Sequence, residues 1–565
     1  MSKEASPFGI NLTKRFVSEG GEKELFYTHP INSGTVELVD YMGGDETVVR
    51  VATSGHGTSI FSKNPSTSGL INYLSMHGIY DPFKSVQLKF NIRSPIATAL
   101  ALVYEQSCNV NEYSGRYSIM LDSSFTPTQD WLEQFPHKPN NIEKILQIFN
   151  QNRERTSKNY KMLLDLDMAR ELARAGLGID NDTKYFWKMD LFNLARFVTE
   201  QRDRLDFNDP TFEYIEQIAQ IASDTSPIAW KALTNPERSY PILTMPKDED
   251  VVDPSLNPAQ WQSQETKRVI VPALEEVLFQ IQPFLDHGEF QVVDYMGDDN
   301  SFAEAARISY GEGTKKLQDN QNLTRSLIRD LHTSPIEMSE LAMEIKAPMF
   351  VDPRQAGRHR TLDKHGFMGY NPLGSQFYIP PAEEFKYQDK VNRQGRGKSM
   401  DEGDLEKAVR IYISDKESQL QTVQQLRQLG TPEELTRMSK GVGFYTKMWR
   451  SGDANNLSRY LILRLDKHAQ KEIREEAKMI EQAFLLHTPT AHEALMVYTI
   501  NGMRFSSKEI ELMIKQQMIK QDLDPDNLEN YRGVGFLITD KEKGEQKLSR
   551  EGLSFQEKLK KLKGN

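Results

Sequence analysis

The sequence predicts an α+β protein of two tandem modules, each a central sheet flanked by helices. Repetition is the first observation behind this. "VELVDYMGGDETVV" from Val36 returns as "FQVVDYMGDDNSFAEAA" from Phe290, which places Asp40 opposite Asp294. The likeness continues, with "QLKFNIRSPI" from Gln87 facing "ELAMEIKAPM" from Glu340, and "FWKMDLFNLARFV" from Phe186 facing "MWRSGDANNLSRYL" from Met448. Repeats of this length are duplicated domains rather than solenoid units. The second observation is order: in each copy strand-like stretches come first and long helical patterns follow.

The elements follow in turn. "VELVDYM" and "VQLKFNI" alternate or run apolar as strands do, and set the first module at residues 1–234. Residues 235–287 form a connector, from the turn-rich "PKDEDVVDPSLNP" into the helical pattern "VIVPALEEVLFQIQPFL". The second module spans 288–500, where "NLTRSLIRDLH" and "NLSRYLILRLDKHAQKEIREEAKMIEQAF" carry apolar residues at helical spacing. Residues 501–565 read as a charged helical tail ending in "SFQEKLKKLKGN", whose basic residues are those of a solvated helix end.

Bulk properties narrow the function. A chain of 565 residues exceeds one ordinary core, and 38% hydrophobic with 27% charged residues is a soluble composition. A net charge of −10 argues against a nucleic-acid polymer as partner. No apolar run reaches membrane-spanning length, and "MSKEASPFGINLTKRF" has no signal-peptide core. The single cysteine, Cys108, excludes an internal disulfide and fits a cytoplasmic protein.

Two polar loops carry the chemistry. Laid over one another, the modules read "VYEQSCNVNEYSGRYS" from Val103 and "GRHRTLDKHGFMGYNP" from Gly357. Arg358, His359 and Arg360 face Tyr104, Glu105 and Gln106, whereas Asn111, Glu112, Ser114 and Arg116 face His365, Gly366, Met368 and Tyr370. Each module keeps what the other has lost. The Arg-His-Arg cluster calls for an anion, and guanidinium matches phosphate through paired hydrogen bonds. "NEYSGRY" offers a hydroxyl, the close backbone approach of Gly115 and a cation, with Asn111 and Glu112 suited to a ring edge. Alone, the triplet is ordinarily a solvated surface and the loop a self-capped turn. Their mutual exclusion across a duplicated chain is what gives them weight.

"RHR" followed at fixed spacing by "NE.SGRYS" resembles the motif of the flavin-dependent thymidylate synthases, here split between two copies. The second module adds "AARISYGEGT", "HTSPIE", "APMFVDPRQAGRHRT", "FYIPP" and "LRLDKHAQKEIREEA". The resemblance implies FAD as cofactor, dUMP as substrate, and methylenetetrahydrofolate and NADPH as co-substrates. It implies no cysteine nucleophile and no metal. FAD contacts map to Ser309, His332, Ser334, Glu337, Arg358, His359 and Arg360, with Asn111 and Asn455 added to the cofactor set. Substrate contacts map to Glu112, Ser114, Gly115 and Arg116, joined across an interface by Gln355, Arg437 and Arg464. Arg464 also stands out unaided: it interrupts "YLILRL", and a cation on a largely buried helix face needs an anion, either a ligand or a carboxylate. The family's homotetramer implies a homodimer here, with two composite sites.

Departures keep other readings open. The family's Asn-x-Arg falls at Asp453-Ala454-Asn455, so an arginine is lost, and Asp453 calls for a partner such as Arg459. "TLDKHGFMGYN" brings Lys364 and His365 to the altered loop. The alternatives are C5 alkylation or hydroxymethylation of another pyrimidine nucleotide, or a non-catalytic nucleotide-binding protein.

Overall fold

The computed structural model describes residues 26–28, 34–54, 67–103, 107–114, 118–133, 141–205, 209–234, 269–308, 319–351, 362–365, 375–388, 396–432, 436–502, 506–515, 524–532, 536–539 and 545–562. It divides into a unit of residues 1–327 with 331–493, and a smaller unit of 328–330 with 494–565.

In the larger unit the apolar alternation seen in the sequence becomes two antiparallel sheets. The first contains β1 (Phe26–Thr28), β2 (Thr35–Met42), β3 (Gln87–Pro95), β4 (Cys108–Glu112) and β5 (Asp182–Asp190), in the order β1-β2-β3-β5-β4. The second contains β6 (Gln282–Phe284), β7 (Gly288–Met296), β8 (Glu340–Pro348) and β9 (Asp363–His365). After a separate hairpin of β10 (Lys386–Gln388) and β11 (Arg396–Ser399), β12 (Tyr445–Gly452) completes it, in the order β6-β7-β8-β12-β9. The two sheets share one topology, down to a register shift between Leu38 and Asp40 in one and between Val292 and Asp294 in the other. The α+β duplication is thus present in three dimensions.

The helices repeat as well. Asp45 opens the helix Asp45–Ser54 and accepts hydrogen bonds from the Ile228 and Ala229 amides at 2.9 and 2.7 Å. Asp299 opens Asp299–Ile308 and accepts from Thr490 and Ala491 at 2.7 and 3.0 Å. Burial pushes the Asp45 carboxyl up to about 7, against the pull of its two amide donors. Leu38, Phe90, Trp187, Phe197, Tyr214 and Trp230 belong to the core of the first module.

Five sequence expectations are corrected. "VIVPALEEVLFQIQPFL" forms only the one-turn helix Pro272–Glu275, because Phe279 takes a left-handed φ of 59° and its amide joins Val292. The chain then enters the second sheet at Gln282, before residue 288. "NLSRYLILRLDKHAQKEIREEAKMIEQAF" is two helices, Ala454–Arg464 and Lys471–His487, parted where the Asp466 carboxylate accepts the His468 amide at 2.7 Å. Strand pairing places Phe186, not one of its neighbours, at the position of Trp449 rather than Met448. The tail is not purely helical. In the smaller unit a hairpin of β13 (Leu537–Thr539) and β14 (Gln546–Leu548) precedes the helix Arg550–Leu562, around buried Tyr531, Leu548 and Leu559. No helix among the described residues is long and apolar enough to cross a membrane.

The two modules are joined by a reciprocal pair of bonds. Asp40 Oδ2 accepts from the Gly297 amide and Asp294 Oδ2 from the Gly43 amide, both at 2.8 Å, while each Oδ1 accepts from the next residue's own amide at 2.9 Å. Gly43 and Gly297 have φ of +79° and +72°, a conformation in which a Cβ is strained. An apolar cluster of Met42, Val51, Val293, Met296, Ala342 and Trp449 seals the contact.

Replacing Asp294 or Asp40 by Asn sets an amide donor against a buried N–H, and is expected to lower the unfolding free energy by about 1–3 kcal/mol. Urea titration of the whole chain measures this. Unchanged midpoints in both variants would refute the role given to these carboxylates.

Candidate functional site

The site grows from strand β4. A strand places i and i+2 on one face, so Asn109 and Asn111 point the same way while Glu112 points the other. The Asn109 face meets the second module. Asn109 Nδ2 donates to Glu337 Oε2 at 2.9 Å, and Asn455 Nδ2 donates to Glu337 Oε1 at 3.2 Å. One carboxylate therefore links the loop strand of the first module to a helix of the second. Asn111 Nδ2 donates to the Ala305 carbonyl, and its Oδ1 accepts from Ser334 Oγ at 3.2 Å.

A polar row across the first sheet supports this arrangement. Asn109 pairs with Lys188, Lys188 with Lys89, and Lys89 with Asp40. Lys188 Nζ lies 3.1 Å from the Ser339 carbonyl and 2.9 Å from Glu340 Oε2, and Lys89 Nζ 3.2 Å from the Met338 carbonyl. Burial works against both ammonium groups. It prevails at Lys89, whose pKa is lowered, whereas Glu340 and Asp453 outweigh it at Lys188 and hold that pKa up. Beside Asn111 and its strand partner Phe186 opens a cleft of about 470 Å³, lined by Lys184, Phe186, Glu304, Arg307, Ile308 and Asn320.

Of the residues expected from sequence, Asn111, Ser334, Glu337 and Asn455 are brought together. His332 is exposed near the same turn, its amide bonded to the Leu327 carbonyl. Glu112 is not among them: it is exposed on the opposite face, where it accepts from the buried Thr183 hydroxyl at 2.9 Å. Ser114 is half-buried, its carbonyl accepting the Ser118 amide. Arg464 closes its helix, half-buried, with Glu476 and Arg450 as electrostatic neighbours. Its i−3, i−4 and i−7 neighbours Leu461, Tyr460 and Leu457 are fully buried, so the cation sits at the edge of a buried helix face as expected, while Ile462 and Leu463 turn outward. Gly115, Arg116, Ser309, Gln355, Arg358, His359 and Arg360 lie outside the described residues, as does the side chain of Arg437.

Asp453 is not a partner of Arg459. It caps the helix Ala454–Arg464, accepting the Asn456 amide at 2.8 Å and Asn456 Nδ2 at 2.9 Å. Asp190 makes the same cap with Asn193 in the first module, so this aspartate belongs to the duplicated fold. Burial pushes the Asp453 carboxyl up to about 7, with Lys188 opposing.

The equivalent place in the first module is filled. Tyr80 stacks on Phe192 with ring centroids 4.5 Å apart, and Lys84, ion-paired to Asp81, lies over the same ring. Phe192 and Lys84 stand where the second module has Asn455 and Glu337. Amides, a hydroxyl and the cleft cations Lys184 and Arg307 form a donor set that fits an anionic, ring-bearing cofactor such as FAD. The aromatic stack does not.

Asn109, Lys188, Lys184 and Arg307 were missed from sequence. Asn109 was legible in the spacing of "NVN", while the lysines required the strand pairing.

The profile of the Thymidylate synthase complementing protein family matches residues 37–228 and 291–490. The chain belongs to this family, in tandem form. The flavin-dependent thymidylate synthase of Ruegeria pomeroyi is 37% identical over 251 residues, which are 44% of this chain and 83% of that protein. That of Ehrlichia ruminantium (strain Gardel) is 36% identical over 259 residues, 45% of this chain and 87% of its own. A solved UMP/dUMP methylase, PolB from Streptomyces cacaoi bound with 5-Br UMP, is 26% identical, covers 38% of this chain and 96% of its own, and has a TM-score of 0.34. Single-module relatives that match under half of this chain are what a duplication within this family produces.

Lys188→Met strips the buried carboxylates Glu340 and Asp453 of their cation, and is expected to cost about 3–5 kcal/mol, read by thermal or urea unfolding. A loss under about 1 kcal/mol would mean that the polar row does not hold the site.

Proposed function

We propose that the chain is a flavin-dependent thymidylate synthase that methylates C5 of dUMP to give dTMP, with FAD as cofactor and methylenetetrahydrofolate and NADPH as co-substrates. Each site is built from both modules of one chain. The observation that carries this reading is the Asn109–Glu337–Asn455 link, in which loop and cofactor-side residues share one carboxylate.

FAD, when bound, mediates the one-carbon transfer and supplies the hydride that completes the methyl group. The protein binds and orients. Asn109 and Asn455 hold Glu337 as a fixed acceptor, and Asn111 is locked behind them between the Ala305 carbonyl and the Ser334 hydroxyl. Lys184 and Arg307 offer cations at the cleft to phosphate, and Gly115 with Arg116 completes the nucleotide loop. No thiol is required, and Cys108 packs against the first core. Exposed Ile148 and Ile411 on the helices Ile142–Asp165 and Glu402–Gln428, with exposed Leu166 and Leu429 at their C-termini, support pairing of two chains into a homodimer with two sites.

FAD-reconstituted protein, washed free of excess flavin, is expected to keep its flavin absorption and to shift that band on titration with dUMP, with dTMP as product. Flavin that answers to dCMP and not to dUMP would transfer the reading to another pyrimidine. No retained flavin would sink it.

Arg116→Ala and Arg358→Ala chains, each inactive, are expected to stay inactive when mixed. Recovered turnover would place the two halves of a site on different chains.

A further inference from the structure

The duplication supplies its own control for a buried charged trio. Trp187 pairs with Phe90 and Arg450 with Met343 at matching places in the two sheets, beside the shared register shift. The aspartate caps of Leu191–Arg204 and Ala454–Arg464 set Phe197 opposite Tyr460 and Gln201 opposite Arg464. The amide pairs bonded by Asp45 and Asp299 set Tyr214, on Pro210–Thr225, opposite Glu476, on Lys471–His487. One module therefore packs Trp187, Phe197 and Tyr214 where the other packs Arg450, Tyr460 and Glu476, and all six are buried.

Stability does not call for the charges. Trp187 and Phe197 pack with ring centroids 5.5 Å apart, and an apolar group in place of a buried ion pair is often neutral or stabilising. In the second module the Tyr460 hydroxyl donates to Glu476 Oε1 at 2.6 Å. Burial pushes the Arg450 pKa down and the Glu476 pKa up, and each of the two opposes the shift of the other. Arg464, one helical turn beyond Tyr460, also favours the charged form of Glu476.

The charged trio and the edge arginine occur together. Where the core is aromatic the helix carries neutral Gln201, and where the core holds Arg450 and Glu476 the helix carries half-buried Arg464. A guanidinium has five N–H donors and a carboxylate behind it uses two at most, so one group serves carboxylate and ligand at once. A binding group held from behind in this way keeps one direction.

We infer that Glu476 is the positioning residue of Arg464, holding its guanidinium toward the pyrimidine nucleotide, with Arg450 keeping the carboxylate charged and Tyr460 fixing its orientation. The inference rests on the function proposed above, with Arg464 as a substrate contact of that reaction.

The dissociation constant of dUMP is measured by calorimetry on the full FAD-reconstituted chain, in a double-mutant cycle. Glu476→Gln keeps the shape and the Tyr460 bond and removes the charge. It is expected to weaken dUMP by about 10-fold, within the range of coupling inside one network. Arg464→Gln is expected to weaken dUMP at least as much, and the double variant no further, because the carboxylate acts only through the arginine. Tyr214→Phe, at the matching place in the first module, is expected to leave dUMP affinity unchanged. If Glu476→Gln does not fold, Tyr460→Phe takes its place in the cycle, with an expected loss of about 3-fold from the missing clamp. A merely structural carboxylate lowers the urea midpoint and leaves dUMP affinity alone or the two losses additive. Either result, or wild-type affinity in Arg464→Gln, overturns the inference and leaves the function standing. Wild-type protein that binds no dUMP overturns both.

Discussion

Everything in the larger unit depends on two carboxylates that exchange places. Asp40 and Asp294 each leave their own strand at a register shift and accept the amide of a glycine in the other module. Such a buried acceptor must be matched, since an unpaired carboxylate in an apolar setting is far costlier than the bond is worth. The pair therefore fixes one rotation of module against module. Lys89, Lys188 and Asn109, on the same sheet face as Asp40, then meet Met338, Ser339, Glu340 and Glu337 in sequence.

From that near-symmetric frame the chemistry departs from symmetry. The row Asp40, Lys89, Lys188 and Asn109 answers in the second module to Asp294, Ala342, Ser451 and Asp363, and Asp294 repeats its partner's bond across the modules. The first module is the polar grip and the second supplies the carbonyls and carboxylates. One of the two equivalent sites keeps amides around Glu337, and the other is packed with Tyr80 and Phe192. Duplication makes this possible because each copy needs to preserve only half of the contacts.

Much of this was written plainly in the sequence, and particular residues show why the rest was not. The repeat of "VDYMG" and the period-2 alternation of β2 and β3 located both sheets, because those signals are local. The split of the polar loops drew out Asn111, and the family resemblance named Ser334, Glu337 and Asn455, four residues that lie together in the structure. Glu112, taken as their neighbour, turns to the opposite face because adjacent strand residues do so. Asp453, taken as a damaged ligand position, is a helix cap shared with Asp190, a role visible only once the two helices are compared. The buried lysines were illegible for another reason: a Lys within an apolar strand reads as an outward residue until its carbonyl and carboxylate partners arrive from far along the chain.

The Asn109–Glu337 bond has a consequence for behaviour at low concentration. When half-sites sit on separate polypeptides, their encounter is bimolecular and dilution dissolves them. Here Asn109 and Glu337 share one chain, so their encounter is intramolecular, with an effective concentration set by tether and geometry rather than by abundance. A scarce copy of this protein carries the Asn109–Glu337 junction intact, and its occupancy does not fall with the number of molecules present.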